Sequence, residues 1–119
     1  MFHRLQSGNL LLVGHGRDMR NATSVRKELI AFLSANDGKT WSGGLLLDER
    51  NNVSYPDIAQ APNGEIYVHY DRDRNGAAEI LFARFREEDV QAGKLISQNA
   101  ALKSLVKSKR GMNRGSSDK

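Results

Sequence analysis

Ser34-Ala35-Asn36-Asp37-Gly38-Lys39-Thr40-Trp41 is the stretch whose reading decides the fold. The short polar side chain at its third position, Asn36, can bond to backbone amides two residues on. Gly38 permits the positive φ that a tight hairpin needs. Thr40 and Trp41 favour extended chain and start the outgoing strand, with the indole plugging the turn against the sheet. On the incoming side, Val25–Leu33 (VRKELIAFL) is compatible with a helix by propensity, but it runs directly into the hairpin and is read as a strand. Gly44–Asp48 is the return strand.

Working outward, short strand patterns alternate with turn signals, as in all-β proteins. Phe2–Leu5 and Asn9–His15 flank the turn Gln6-Ser7-Gly8, and Arg17–Ser24 is polar and loop-like. These segments predict one four-stranded up-and-down sheet over about residues 2–48. A second unit, about 53–97, contains strands at Asp57–Ala61, Glu65–Asp71 and Ala78–Phe85, with turns at Pro62-Asn63-Gly64 and Arg72–Gly76. Gly8 and Gly64 each end a turn and open an apolar strand, 56 residues apart, which predicts an internal repeat. Arg86–Gly93 has three acids followed by glycine, the pattern of one helical turn with its stop. Residues 98–119 are expected to hold a short amphipathic helix at Asn99–Lys109, with Leu102, Leu105 and Val106 on one side, and then a disordered basic tail.

The 34–41 octapeptide is one substitution from the Asp-box, Ser-x-Asp-x-Gly-x-Thr-Trp, and the chain resembles the C-terminal blades of the sialidase superfamily of β-propellers. Arg26 at a strand opening, the box, Val53-Ser54-Tyr55-Pro56-Asp57, a glycine turn into Tyr67-Val68-His69-Tyr70-Asp71, and Glu79–Phe85 follow in the family's order. The resemblance implies an all-β fold, two four-stranded antiparallel blades of a six-bladed propeller. Ser34, Asn36, Gly38, Thr40 and Trp41 would mark the outer turn of a blade, away from the active site.

It also implies chemistry. Sialic acid carries a carboxylate on its anomeric carbon, so the family replaces the usual carboxylate nucleophile with tyrosine. Arginines clamp the substrate carboxylate because a planar guanidinium donates paired hydrogen bonds and stays charged. Tyr55 matches the nucleophile, Arg26 the third arginine, and Asp71 an acid supporting the first arginine. Read without the resemblance, Tyr55 could pack at a blade junction, Arg26 could lie on a strand edge, and Asp71 could cap the Arg72–Gly76 turn. The family's acid/base aspartate, its other two arginines and the acid that activates the tyrosine have no counterpart in residues 1–25. The expectation is therefore a sialidase-like glycoside hydrolase for terminal sialic acids or related sugars, represented by a C-terminal fragment inactive alone. Its partners would be a sialylated glycan and the missing N-terminal blades. The alternative is a non-catalytic carbohydrate-binding or scaffolding propeller.

Composition narrows the other classes. With 119 residues, 39% of them apolar, and a mean hydropathy of −0.58, the chain supports one modest domain. No apolar run approaches the roughly 18 residues of a membrane span. No secretory leader is read at Met1-Phe2-His3-Arg4, and the compartment is left open. The net charge of +4 is uneven: outside residues 103–119 there are 12 basic and 13 acidic residues, so the body is nearly neutral and nucleic acid is not an expected partner. Zero cysteines exclude disulfides and thiolate metal sites. His3, His15 and His69 lack metal-ligand spacing, and no phosphate loop, nucleophile elbow or HExxH motif is present. No cofactor is expected.

Overall fold

A computed structural model describes residues 1–15, 27–51, 53–73 and 78–107; of Lys27, Asn51, Ser54, Tyr55 and Lys107 only the backbone is described. The hairpin around Gly38 joins β3 (Lys27–Ser34) to β4 (Ser42–Asn51), so the ambiguous segment before the turn is a strand. β1 (Phe2–Arg4) and β2 (Leu10–His15) complete an antiparallel sheet in the order β1-β2-β3-β4. A second antiparallel sheet follows with the order β5-β6-β7-β8: β5 (Val53–Gln60), β6 (Ile66–Arg72), β7 (Glu79–Phe85) and β8 (Ala101–Lys107). Each strand pairs with its sequence neighbour, as short connections favour.

The two sheets stack face to face, with β5 against β1 and β3 and β8 against β4. Alternation puts Leu11, Val13, Ala31, Leu33, Leu45 and Leu47 of the first sheet inward. They meet Ile58, Ile66, Val68, Leu81, Ala83 and Phe85 of the second, all in one buried core. The first sheet is apolar on its other face as well. There Leu12 lies opposite Phe2 and Phe32, and Ile30 opposite Leu46. Ile30 is fully buried, whereas Phe2 is 60% exposed. Among the described residues neither sheet closes on itself, and β1, β4, β5 and β8 are edge strands.

One helix straps the sheets together. α1 (Glu87–Ala92) leaves β7 and packs on β3 and β4 of the other sheet. Its Val90 carbonyl sits over Gly43, where a Cβ would come within 2.5 Å, so glycine is required there. Asp89, fully buried, accepts from the backbone amides of Arg86 (2.7 Å), Ile96 (2.6 Å) and Ser97 (2.8 Å). Gly93, at φ 74°, ends the helix as its sequence pattern predicts.

The expected helix at Asn99–Lys109 is not formed: residues 101–107 are β8, the fourth strand of the second sheet. Asn99 and Lys103 hold positive φ values of 66° and 54°, which a right-handed helix cannot contain. The open edge of β7 supplies a ladder for this segment, with Leu81 opposite Leu105 and Phe82 opposite Ser104. Leu102 reaches the core, while Leu105 and Val106 stay more than half exposed on the edge strand. The basic tail expected beyond β8, residues 108–119, lies outside the described residues.

Candidate functional site

The two ends of the stack differ in kind. The Ser34–Trp41 turn lies at one end and closes on itself. Ser34 Oγ accepts from the amides of Gly38 (2.8 Å) and Asn36 (3.3 Å) and donates to Asn36 Oδ1 (2.8 Å). Asn36 Oδ1 also accepts from the Thr40 amide at 2.9 Å, and Asn36 Nδ2 donates to Thr40 Oγ1 at 2.8 Å. Amides two and four residues beyond Ser34 thus go to serine, while Asn36 reaches four residues on, farther than the sequence reading placed it. Asp37 and Gly38 take positive φ, 60° and 87°. The Trp41 and Phe2 ring centroids are 5.8 Å apart, which packs the indole beside the first strand. Every group here serves the turn, so this end is architectural.

The opposite end gathers the termini of β2, β4 and β6 and the starts of β3, β5 and β7. Lys27 pairs with Asn51, Val53 with Arg72, Ser54 with Asp71, and Arg72 with Glu79. His15 Nε2 donates to the Val53 carbonyl at 2.5 Å, tying β2 to the start of the second sheet.

Its centre is Asp48, fully buried. Asp48 faces the core because the register slips by one residue: Ile30 opposes Leu46, yet Leu29 opposes Asp48. Simple alternation from inward Leu47 would have turned the carboxylate outward; the bulge turns it in. Its Oδ1 accepts from Arg50 Nε (2.8 Å) and the Arg50 amide (3.0 Å), and its Oδ2 from Arg50 Nη2 (2.7 Å) and Tyr70 Oη (2.8 Å). Four contacts use the acceptor capacity of the carboxylate. Burial alone would raise the Asp48 carboxyl, but the bonds from Arg50 and Tyr70 and the Arg50 charge outweigh it and hold it below the usual carboxylate range. Burial first, and then the adjacent carboxylate, push the Tyr70 phenol above its ordinary value. Tyr70 is 1% exposed and stays a protonated donor to Asp48.

Arg72 stands two residues beyond Tyr70 on the same face of β6. Its Nη1 donates to Glu79 Oε1 at 2.7 Å, and its Nε is buried with no acceptor among the described residues. An open cleft of about 230 Å³, lined by Asp71, Ala78, Glu79 and Ile80, lies beside this pair. It is smaller than the roughly 300–1,000 Å³ of sites that enclose a whole organic ligand, so it accommodates part of one.

The three candidate residues fall as follows. Arg26 lies outside the described residues; the next residue, Lys27, is at this end, opposite Asn51. Tyr55 is on β5, directly after the residue that pairs with Asp71, and its side chain is outside the description. Asp71 is partly exposed on β6 and lines the cleft. Tyr55 and Asp71 share one end of the stack, opposite the Ser34–Trp41 turn. The sequence reading missed Asp48, Arg50, Tyr70, Arg72 and Glu79. A signal was present: Asp48-x-Arg50 and Tyr70-x-Arg72 each close an alternating apolar strand with two polar residues on one face.

Among the described residues, no group of three or more His, Asp or Glu side chains is placed to hold a metal ion. No helix among them is long and apolar enough to cross a membrane. No family model, curated protein or solved structure matches this chain.

Proposed function

We propose that this chain is the C-terminal part of a sialidase-like β-propeller whose whole protein hydrolyses terminal sialic acids or related sugars. The observation that carries the reading is the arrangement of two four-stranded meanders. They stack face to face, with the Asp-box turn at one end and the positions next to Arg26, Tyr55 and Asp71 at the other. A self-contained β-sandwich turns polar residues outward from both sheets. The first sheet here is apolar on both faces, which suits a blade with a neighbour on each side.

In this reading Tyr55 is the nucleophile, Arg26 binds the substrate carboxylate, and Asp71 supports an arginine from an earlier blade. Tyrosine serves where an anionic nucleophile would be repelled by the substrate. The acid that protonates the leaving group and the rest of the clamp come from other blades. Groups that act as a catalytic unit fail together when one is absent, so the 119-residue chain alone is expected to show no turnover.

The test is a complete protein containing this segment, assayed with a fluorogenic sialoside. Turnover abolished by Tyr55→Phe supports the hydrolase. A complete protein that binds sialosides without cleaving them replaces it with the carbohydrate-binding alternative. Robust turnover by the 119-residue chain alone overturns the fragment reading.

A further inference from the structure

The four edge strands are not finished alike. β1 has only three residues. β5 carries Pro56, which has no amide hydrogen to offer, and slips in register between Ser54 and Asp57. β4 slips three times against β3. β8 runs for seven residues, Ala101–Lys107, with no proline and no acidic residue, and among the described residues it pairs with β7 alone. Its Leu105 and Val106 are 54% and 57% exposed, and Ile80, which opposes Lys107 on β7, is 39% exposed. Three large aliphatic side chains thus meet water at one edge, where polar groups usually stand.

The same edge opens the most charged part of the chain. Residues 103–119 contain six basic residues and one acid, whereas the remainder is nearly neutral. Lys103 Nζ lies 3.0 and 3.3 Å from the carboxylate oxygens of Glu49 on β4, in a pair whose side chains are 41% and 54% exposed. An exposed pair of this kind is weak, so the ammonium beside the edge can exchange one carboxylate for another.

The lysines also argue against a second copy as the occupant. A second β8 laid antiparallel and centred on Leu105 would set Lys103 opposite Lys107, like charge against like. Two register slips against β7 and the positive φ of Lys103 shorten the ladder on offer, so main-chain bonds alone would hold a new strand weakly. The rest of the affinity has to come from apolar contact with Leu105 and Val106 and from opposite charge. β8 has no aromatic side chain on which a nucleic-acid base would stack, which favours a polypeptide.

We propose that the open edge of β8 is a docking site for an acidic, extended peptide, which adds a strand to the second sheet. Its apolar residues lie on Leu105 and Val106, and its carboxylates face Lys103 and the basic residues that follow. The site stands on the edge itself, since the sialidase-like reading assigns no role to β8.

The test is amide hydrogen exchange by NMR on the ¹⁵N-labelled 119-residue chain. The probes are a capped hexapeptide of alternating glutamate and valine, its lysine–valine counterpart, and oligothymidylate. At about ten times its dissociation constant, the glutamate–valine peptide is expected to slow exchange of the β8 amides that β7 leaves unpaired about tenfold. The lysine–valine peptide should leave them unchanged. Leu105→Glu, at an exposed position, should weaken binding by at least about tenfold, and Lys103→Gln by about threefold. The wild-type comparison of the two peptides decides alone if a variant does not fold. Absence of protection by either peptide overturns the site. Equal protection by both overturns the acidic occupant. Protection that rises with protein concentration in the absence of peptide gives the edge to a second copy and overturns the proposal. Protection by oligothymidylate in place of the acidic peptide overturns it in favour of nucleic acid.

Discussion

At one end of the stack the Ser34–Trp41 turn is secured by side-chain bonds spanning two to four residues, whereas at the other Tyr70 reaches Asp48 across 22 positions and His15 reaches Val53 across 38. The first set forms as soon as the hairpin forms. The second exists only after two sheets have stacked, and it places a buried carboxylate where an apolar side chain would have packed more cheaply. Local bonds of the first kind stabilise a shape, and they survive as a recognisable string of residues. Non-local bonds of the second kind orient particular groups, and they leave little trace in the string. The contrast separates an end held by local bonds from an end held by non-local ones, independently of any resemblance.

The sharpest way to break this comparison is Asp48→Asn. It should cost about 3 kcal/mol, as expected when one member of a buried pair is removed, read as a lower urea midpoint at constant slope. The pH dependence follows from the sign of the shift. The folded Asp48 carboxyl is held below its unfolded value, so its contribution is complete above the unfolded pKa of about 4 and is lost as pH falls through the folded value. The variant should therefore lose part of the wild-type decline in stability below about pH 4. An unchanged midpoint and an unchanged acid profile would mean that Asp48 is not held as described.

Gly43→Ala comes next, since it tests the strap between the sheets rather than either end. A Cβ would meet the Val90 carbonyl at 2.5 Å and would sit on a residue with φ 80°. A loss of about 2 kcal/mol is expected from overpacking and backbone strain together, measured by thermal unfolding. A neutral result would place α1 away from β4.

At the turn end, Ser34→Ala removes a hydroxyl that holds two amides and should cost about 1 kcal/mol. Asn36→Asp keeps the oxygen that accepts from Thr40, and the Thr40 hydroxyl can rotate to donate, so it should lie within about 0.5 kcal/mol of the wild type. A large loss for this aspartate would undercut the equivalence of the octapeptide with an Asp-box. The smallest effect is expected at the rim. Arg4→Ala breaks an ion pair with Asp37 whose side chains are 55% and 74% exposed, and it should change stability by less than about 1 kcal/mol in a denaturant titration.

Much of the fold was legible. Period-two alternation in Ile66–Tyr70 and Leu81–Phe85, glycine turns at Gly8, Gly38 and Gly64, and the acid-rich turn ending at Gly93 each specify their own local geometry. Val25–Leu33 was readable as a strand because the turn that follows needs one. Asn99–Lys109 had no such neighbour. Its helical spacing of Leu102, Leu105 and Val106 lost to the vacant edge of β7, a partner that is not adjacent in sequence.

The candidate site was less legible, and the reason lies in individual residues. Asp71 was singled out by the family resemblance, and it lines the cleft. Asp48 was passed over because alternation from Leu47 turns it to the outside, and only the slip between Leu29 and Ile30 brings it in. Tyr70 was read only as part of a strand; its ring is buried there, and its hydroxyl closes the polar cluster.

By itself the sequence determined the first seven strands, their meander order and the Ser34–Trp41 turn, because each depends on side chains within a few residues of one another. The tertiary structure alone decided that residues 101–107 extend the second sheet, that a bulge turns Asp48 inward, and that Arg50 and Arg72 stand fixed at one end. Those outcomes depend on which surfaces meet when the sheets stack. A buried carboxylate, a vacant strand edge and an orphaned guanidinium nitrogen acquire their energies only from partners that the chain brings in from a distance.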